Sequence, residues 1–127
     1  MNRKRLFDDL VQLSHAYTIA VDDDYESIIV KNFNLPPGYN RGQIPVMLMI
    51  PSRYPESAPG IGKARVYVPE DLRYQGKKPE DFHDNGHLNG WAWWCYEWIE
   101  WNPCKDNLVT FFEMLRAHMT NPELGDN

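Results

Sequence analysis

The sequence has few cysteines and no long apolar run. Cys95 and Cys104 are its only cysteines, which argues against a disulfide framework and favours a reducing, intracellular compartment. No window approaches the ~20 apolar residues of a membrane span. Asp8 and Asp9 also interrupt the stretch that would have to be the apolar core of a signal peptide. These absences predict a soluble, cytoplasmic protein that does not bind membranes.

Several functional motifs are missing as well. There is no Gly-rich phosphate loop, no Gly-x-Ser-x-Gly nucleophile elbow and no paired-carboxylate motif. The net charge of −5 gives no overall electrostatic basis for binding nucleic acid, although the basic residues 3–5 could face an acidic partner. Without repeats or linkers, residues 1–127 are predicted to form one domain, with residues 120–127 as a frayed tail.

The hydrophobic pattern predicts a helix at each end of the chain. Leu6, Leu10 and Leu13 recur at helical spacing, which indicates an amphipathic helix over residues 3–15. Near the other end, Asp106 could cap a helix whose apolar residues share one face and belong to the core. Those residues are Leu108, Phe111, Phe112, Leu115 and Met119.

Between the helices, the pattern is typical of β-structure. Residues 17–21, 25–33, 43–50 and 64–68 are rich in strand-forming residues and are separated by turn residues, which predicts a four-stranded antiparallel meander. Residues 69–103 carry many Gly, Pro, Asn and aromatic residues and show neither period. They are predicted to form a long ordered loop, which in a compact domain usually has a function. Strands flanked by helices indicate the α+β class.

Short motifs, in the right order, resemble those of the ubiquitin-conjugating (E2) superfamily. Residues 50–59 (Ile-Pro-Ser-Arg-Tyr-Pro-Glu-Ser-Ala-Pro) resemble its strand end and Tyr-Pro-x-x-Pro-Pro loop, and residues 83–85 (His-Asp-Asn) resemble its His-Pro-Asn motif. Cys95, followed by residues 101–103 (Trp-Asn-Pro), is similar to the catalytic cysteine followed by Trp-x-Pro. Residues 35–39 (Leu-Pro-Pro-Gly-Tyr) and the aromatic-rich tract resemble a bacterial E2-like group. Its genes lie beside those of E1-like, ubiquitin-like and JAB-type peptidase proteins.

This resemblance spans residues 6–119 and implies a UBC-like fold with its active site in the long loop. It implies that Cys95 takes the carboxyl terminus of a ubiquitin-like protein from an E1-like enzyme and passes it to an amine, without a cofactor. A thiolate is a good nucleophile without a strong base. Asn85 matches the family's asparagine by its neighbours, and Asn89 is the alternative because it lies closer to Cys95; either amide could stabilise the oxyanion. His83, or alternatively His87, would order the loop.

Three other interpretations stay open. A cysteine packed in an aromatic cluster would make the protein a catalytically silent E2-like module that binds a ubiquitin-like protein or an E1. The tryptophans of this tract cannot all be core residues on one strand face, and exposed ones could form a partner surface; they are Trp91, Trp93, Trp94 and Trp98. Cys104, just before the last helix, is the less suitable nucleophile. A zinc site is a weak alternative because no Cys-x-x-Cys pair is present; its ligands would be His83, His87, Cys95 and Cys104.

Overall fold

The computed structural model describes residues 1–60, 65–95 and 100–122, without the side chains of residues 85–87. In chain order, the elements are α1 (Arg3–Ala16), β1 (Ile19–Val21), β2 (Ser27–Asn34), β3 (Gln43–Met49), β4 (Val66–Pro69), β5 (Phe82–Leu88), β6 (Trp91–Trp94) and α2 (Leu108–Met119). The strands form one antiparallel sheet in the order β1-β2-β3-β4-β6-β5. The α+β class and both terminal helices are confirmed. Residues 123–127 of the predicted tail lie outside the described residues.

The sheet has six strands, where the sequence pattern predicted four. The additional pair, β5 and β6, lies inside residues 69–103, so the prediction of a continuous loop there was wrong. Asn89 and Gly90 form the turn of this hairpin, and Gly90 has a positive φ of 88°. The residues of β6 are all apolar, so they show no polar-apolar alternation. Their burial nevertheless alternates: Ala92 and Trp94 are buried, whereas Trp91 and Trp93 are half-buried.

Both helices pack on one face of the sheet. Their apolar stripes join alternate strand residues in a single core, which includes Ile28, Val30, Val46, Leu48, Val66, Val68, Ala92 and Trp94. We call the opposite side of the sheet the outer face. One row of register partners crosses it, in the order Ala20, Ile29, Met47, Tyr67, Trp93 and His83. Within the described ranges, neither helix combines the length and the apolarity that crossing a membrane requires.

The start of α2 differs by one residue from the prediction. Asn107, and not Asp106, is the N-cap: its side chain accepts a hydrogen bond from Thr110 N at 3.0 Å, and the Thr110 hydroxyl accepts one from Asn107 N at 2.8 Å. Such a reciprocal pair satisfies two backbone donors at the helix start. Asp106 instead fixes the preceding turn, because its carboxylate accepts a hydrogen bond from Asn102 N at 2.8 Å.

A buried polar network joins α1 to two loops. The carboxylate of Asp9, only 4% exposed, accepts hydrogen bonds from Arg5 Nε at 3.0 Å and from the Tyr54 hydroxyl. The Arg5 guanidinium continues to the carbonyl oxygens of Pro103, at 2.8 Å, and of Asp106. We call Arg5, Asp9 and Tyr54 the Asp9 network. It holds α1 against the Tyr54 turn and against the residues that lead into α2.

Trp101 packs against the same turn. Its indole Nε1 donates a hydrogen bond to the carbonyl of Pro55 at 2.7 Å, and its ring centroid lies 5.9 Å from that of Tyr54. The peptide bond between Tyr54 and Pro55 is cis. Two of the motifs that resemble the E2 superfamily therefore contact each other and stabilise the fold.

The ionisation of Tyr39 and Tyr54 is predicted to limit stability at alkaline pH. Burial raises the pKa of both hydroxyls above 10.0, and the hydrogen bond to Asp9 raises the pKa of Tyr54 further. The folded state thus holds these protons more tightly than the unfolded chain does. The resulting stability is complete below pH 10 and is lost as the pH rises towards the folded-state pKa values. Urea unfolding between pH 8 and 12 should show this decline, and a Tyr39→Phe, Tyr54→Phe variant should show a shallower one. Equal slopes for the two proteins would contradict the prediction.

Candidate active site on the outer face

Cys95 directly follows β6. Its backbone N donates a hydrogen bond to Asp81 O at 3.1 Å, which extends the β5-β6 ladder by one step, and the residue is half-buried. Cys104 is exposed in the turn before α2, where its N donates to Asn102 Oδ1 at 2.9 Å. The two thiols therefore lie in different environments, and only Cys95 lies at the sheet.

The side chain of Trp93 is flanked by two basic residues. Arg65, which directly precedes β4, places its guanidinium carbon 3.8 Å from the centroid of a Trp93 ring. His83 is the register partner of Trp93 on β5, and their ring centroids are 4.8 Å apart with planes tilted by 33°. We call Arg65, His83 and Trp93 the Trp93 cluster. The cluster lies on the outer face, and its Trp93 is two residues before Cys95 along the chain.

The predicted site residues lie at different distances from Cys95. His83 is exposed and occupies the cross-strand position diagonal to Cys95, a relation in which Cα atoms are about 7–8 Å apart. Asn89 lies in the hairpin turn, beyond the other end of β6. It lies six positions before Cys95, or roughly 20 Å of extended chain. Its amide therefore does not reach an oxyanion at Cys95. Asn85 and His87 belong to β5 by their backbone, but their side chains lie outside the described residues.

Comparison with known proteins identifies the family. The model of prokaryotic E2 family E matches residues 8–121, a range that runs from within α1 to just past α2. The chain belongs to prokaryotic E2 family E. No curated protein and no solved structure gives a significant match. The family match confirms the resemblance to bacterial E2-like proteins and supports an E2-like role in general terms.

In this member of prokaryotic E2 family E, Asp84, the middle residue of the His-Asp-Asn motif, is held by two basic residues. Its carboxylate lies 2.9 Å from Lys78 Nζ and 3.9 Å from Arg73 Nη2. The hydrogen bond from Lys78, with the two positive charges, holds the pKa of Asp84 below its usual value. This carboxylate is therefore ionised at neutral pH and ties β5 to residues 73–78.

The described residues do not bring together the zinc ligands that the sequence suggested. Cys95 and His83 lie near one another at the sheet, Cys104 lies before α2, and the side chain of His87 lies outside the described residues. In the part of the chain that the structure describes, no three His, Cys, Asp or Glu side chains form a group that could hold a metal ion.

Two residues beside Cys95 were missed by the sequence reasoning. Asp81 adjoins Cys95 through the backbone hydrogen bond, and Arg65, just before β4, contacts Trp93 from 28 positions earlier in the chain. Neither belongs to a motif that marks chemistry. The Asn89-Gly90 pair was the available signal, because Asn-Gly between apolar segments strongly favours a hairpin. A regular hairpin with that turn would place Asp84 opposite Cys95; the register shift between His83 and Leu88 brings Asp81 there instead, and no local signal predicts that shift.

Proposed function

We propose that this protein is an E2-like transferase that carries a ubiquitin-like protein as a thioester on Cys95. The observation that carries the proposal is the position of Cys95. In a chain of prokaryotic E2 family E, Cys95 is half-buried and directly follows β6, between the His-Asp-Asn and Trp-Asn-Pro motifs. A half-buried cysteine is not sealed in the core, and the hydrogen bond from its backbone N to Asp81 O fixes its position at the end of the ladder.

The chemistry consists of two acyl transfers. The Cys95 sulfur attacks the carbonyl carbon of the thioester on the E1-like enzyme; a new C–S bond forms, the old one breaks, and the E1 cysteine leaves as a thiolate. An amine then attacks the Cys95 thioester, the C–N bond forms, Cys95 leaves as a thiolate, and the amine loses a proton. Neither step needs a cofactor. His83 would order the site by stacking on Trp93, and Asn85 is the remaining candidate for the oxyanion donor.

The proposed partners are an E1-like enzyme and a ubiquitin-like protein, with a JAB-type peptidase possible in the same pathway. The exposed surface of α1 is the proposed contact for the E1-like enzyme. Phe7 and Val11 are 42% and 55% exposed there, and Arg3 and Lys4 lie beside them. Arg5 is not available for this contact, because it belongs to the Asp9 network.

A catalytically silent module that binds a ubiquitin-like protein is the second candidate. The half-buried Trp91 and Trp93 on the outer face favour it, since aromatic residues are enriched where proteins bind partners. In that case Cys95 would be a packing residue with no acyl group to carry.

A charging assay distinguishes the two functions. The protein would be incubated with its E1-like enzyme, ATP and the ubiquitin-like protein, and run on non-reducing gels. Wild type and Cys104→Ala should form an adduct that reductant removes, and Cys95→Ala should form none. An adduct that persists in Cys95→Ala would exclude the proposed carrier. If wild type forms none while the E1 itself is charged, the binding module is favoured.

A further inference from the structure

The register of the sheet places Arg65 opposite Cys95. Val66 pairs with Trp94 in the antiparallel β4-β6 ladder, so the next step brings Arg65 to face Cys95. The Arg65 carbonyl accepts a hydrogen bond from Met49 N on β3, at 2.9 Å. Because the backbone polar groups of Arg65 face β3, Arg65 and Cys95 form a non-hydrogen-bonded pair. In such a pair the Cα atoms are about 4.5 Å apart, and the side chains are closer together than in a hydrogen-bonded pair.

Arg65 and Cys95 also point to the same side of the sheet. The guanidinium lies on the Trp93 ring, which places the Arg65 side chain on the outer face. Side chains alternate along a strand, so Cys95, two residues after Trp93, shares that face. The positive charge is therefore on the same surface as the Cys95 side chain, displaced from the position opposite Cys95 towards the Trp93 ring.

The Arg65 guanidinium retains capacity to bind an anion. Its Nε is buried and has no hydrogen-bond partner among the described residues. The contact with Trp93 uses the face of the guanidinium plane, whereas the N–H groups point outward from its edge. A buried donor without an acceptor is unfavourable. Nε is not bonded to Cys95 in this structure, so Arg65 would act on the sulfur through its charge and not through this N–H.

Other ionisable groups near Cys95 come from both neighbouring strands. On the β4 side, Tyr67 is buried and diagonal to Cys95. On the β5 side, Asp81 is directly opposite and His83 is diagonal, and both are exposed. The Asp81 carboxylate opposes the effect of Arg65, but water screens an exposed charge more than a half-buried one. Among the described residues, Arg65 is the half-buried cation on this side of the sheet next to Cys95.

We infer that Arg65 is the electrostatic partner of the Cys95 thiolate: its guanidinium, held over Trp93, stabilises the negative sulfur that accepts the acyl group. The inference rests on the carrier role proposed for Cys95. An ordinary thiol is only a few per cent ionised at neutral pH, and a nearby cation raises that fraction. Arg65 thus speeds acceptance of the acyl group without taking a proton itself.

The test measures the thiol directly. The full chain, with Cys104→Ser so that only Cys95 reacts, would be alkylated with iodoacetamide from pH 6 to 10, together with Arg65→Met and Arg65→Lys variants. We expect Arg65→Met to raise the apparent pKa of Cys95 by about one unit and to slow alkylation at pH 7 about fivefold. Arg65→Lys should restore most of the rate, because it keeps the charge. An unchanged profile in Arg65→Met, or no restoration by lysine, overturns the inference.

A second measurement leaves Arg65 intact and so does not depend on how its variants fold. The rates of anionic iodoacetate and neutral iodoacetamide would be compared at Cys95, in the Cys104→Ser protein, and at Cys104, in a Cys95→Ser protein. The iodoacetate-to-iodoacetamide ratio should be about threefold higher at Cys95, because a fixed cation attracts the anionic reagent. Equal ratios overturn the inference. If both measurements agree with it and no thioester forms in the charging assay, only the transferase function fails.

Discussion

Asp9→Ala is expected to lower the free energy of unfolding by about 3 kcal/mol, which is the scale of losing one partner of a buried ion pair. Asp9 is 4% exposed and accepts hydrogen bonds from Arg5 and Tyr54. Its removal leaves the Tyr54 hydroxyl buried without an acceptor. It also frees the guanidinium that links α1 to the carbonyls of Pro103 and Asp106. Thermal unfolding followed by circular dichroism should show a midpoint about 10 °C lower.

The neighbouring Asp8→Ala change is the matched control. Asp8 pairs with Lys4 on the surface of α1, where the two side chains are 59% and 88% exposed. An exposed pair contributes little, so this change should cost less than about 0.5 kcal/mol. If Asp8→Ala and Asp9→Ala destabilise the protein equally, the Asp9 network does not hold the fold together in the way described.

Gly38→Ala is expected to cost about 3 kcal/mol, because strained backbone and overpacking each contribute roughly 1–3 kcal/mol. Gly38 has a φ of 107°, and a Cβ atom there would lie 2.5 Å from Tyr74 Cε1. Moving the Tyr74 ring aside would alter its ring contacts. It packs on Tyr39 at 4.9 Å, and Tyr39 in turn packs on Trp94 at 6.4 Å. The substitution therefore disturbs β6 as well as its own turn. Urea unfolding measures the loss.

Gly42→Ala is the corresponding control, in the same connection between β2 and β3. Its φ is not in the left-handed range, and nothing lies within 4 Å of the position of an added Cβ. Alanine lowers the conformational entropy of the unfolded chain, which favours the folded state. This variant should therefore be as stable as wild type, or more stable by about 0.5 kcal/mol. A loss in Gly42→Ala as large as in Gly38→Ala would show that the contact with Tyr74 is not the cause.

Local periodicity was sufficient to predict the helices and the first strands. The stripe of Leu6, Leu10 and Leu13 predicted α1 to within one residue of its end. The β2 and β3 strands follow the predicted segments closely because runs of strand-forming residues there are bounded by clear turn residues. The cap of α2 was misplaced by one residue because Asp106 and Asn107 are both good N-caps, and only the contact with Thr110 selects Asn107.

The hairpin and the setting of Cys95 could not be predicted in the same way. Tryptophan on both faces of β6 hides the strand period, since it packs in the core at Trp94 and covers the outer face at Trp93. The contact between Arg65 and Trp93 depends on β4 pairing with β6 and not with β5. No local pattern contains that pairing. Motif resemblance selected Cys95, and the role of the residue stays a prediction.

The position of Trp93 gives the protein an intrinsic optical probe. Indole fluorescence responds to nearby charge, and this ring contacts Arg65 and His83 two residues from Cys95. Trp94 points into the core and is shielded from the same events. With the outer tryptophans replaced one at a time by phenylalanine, the emission that depends on Trp93 can be isolated. Loading and unloading of the thiol could then be followed in real time, without a label attached to either partner.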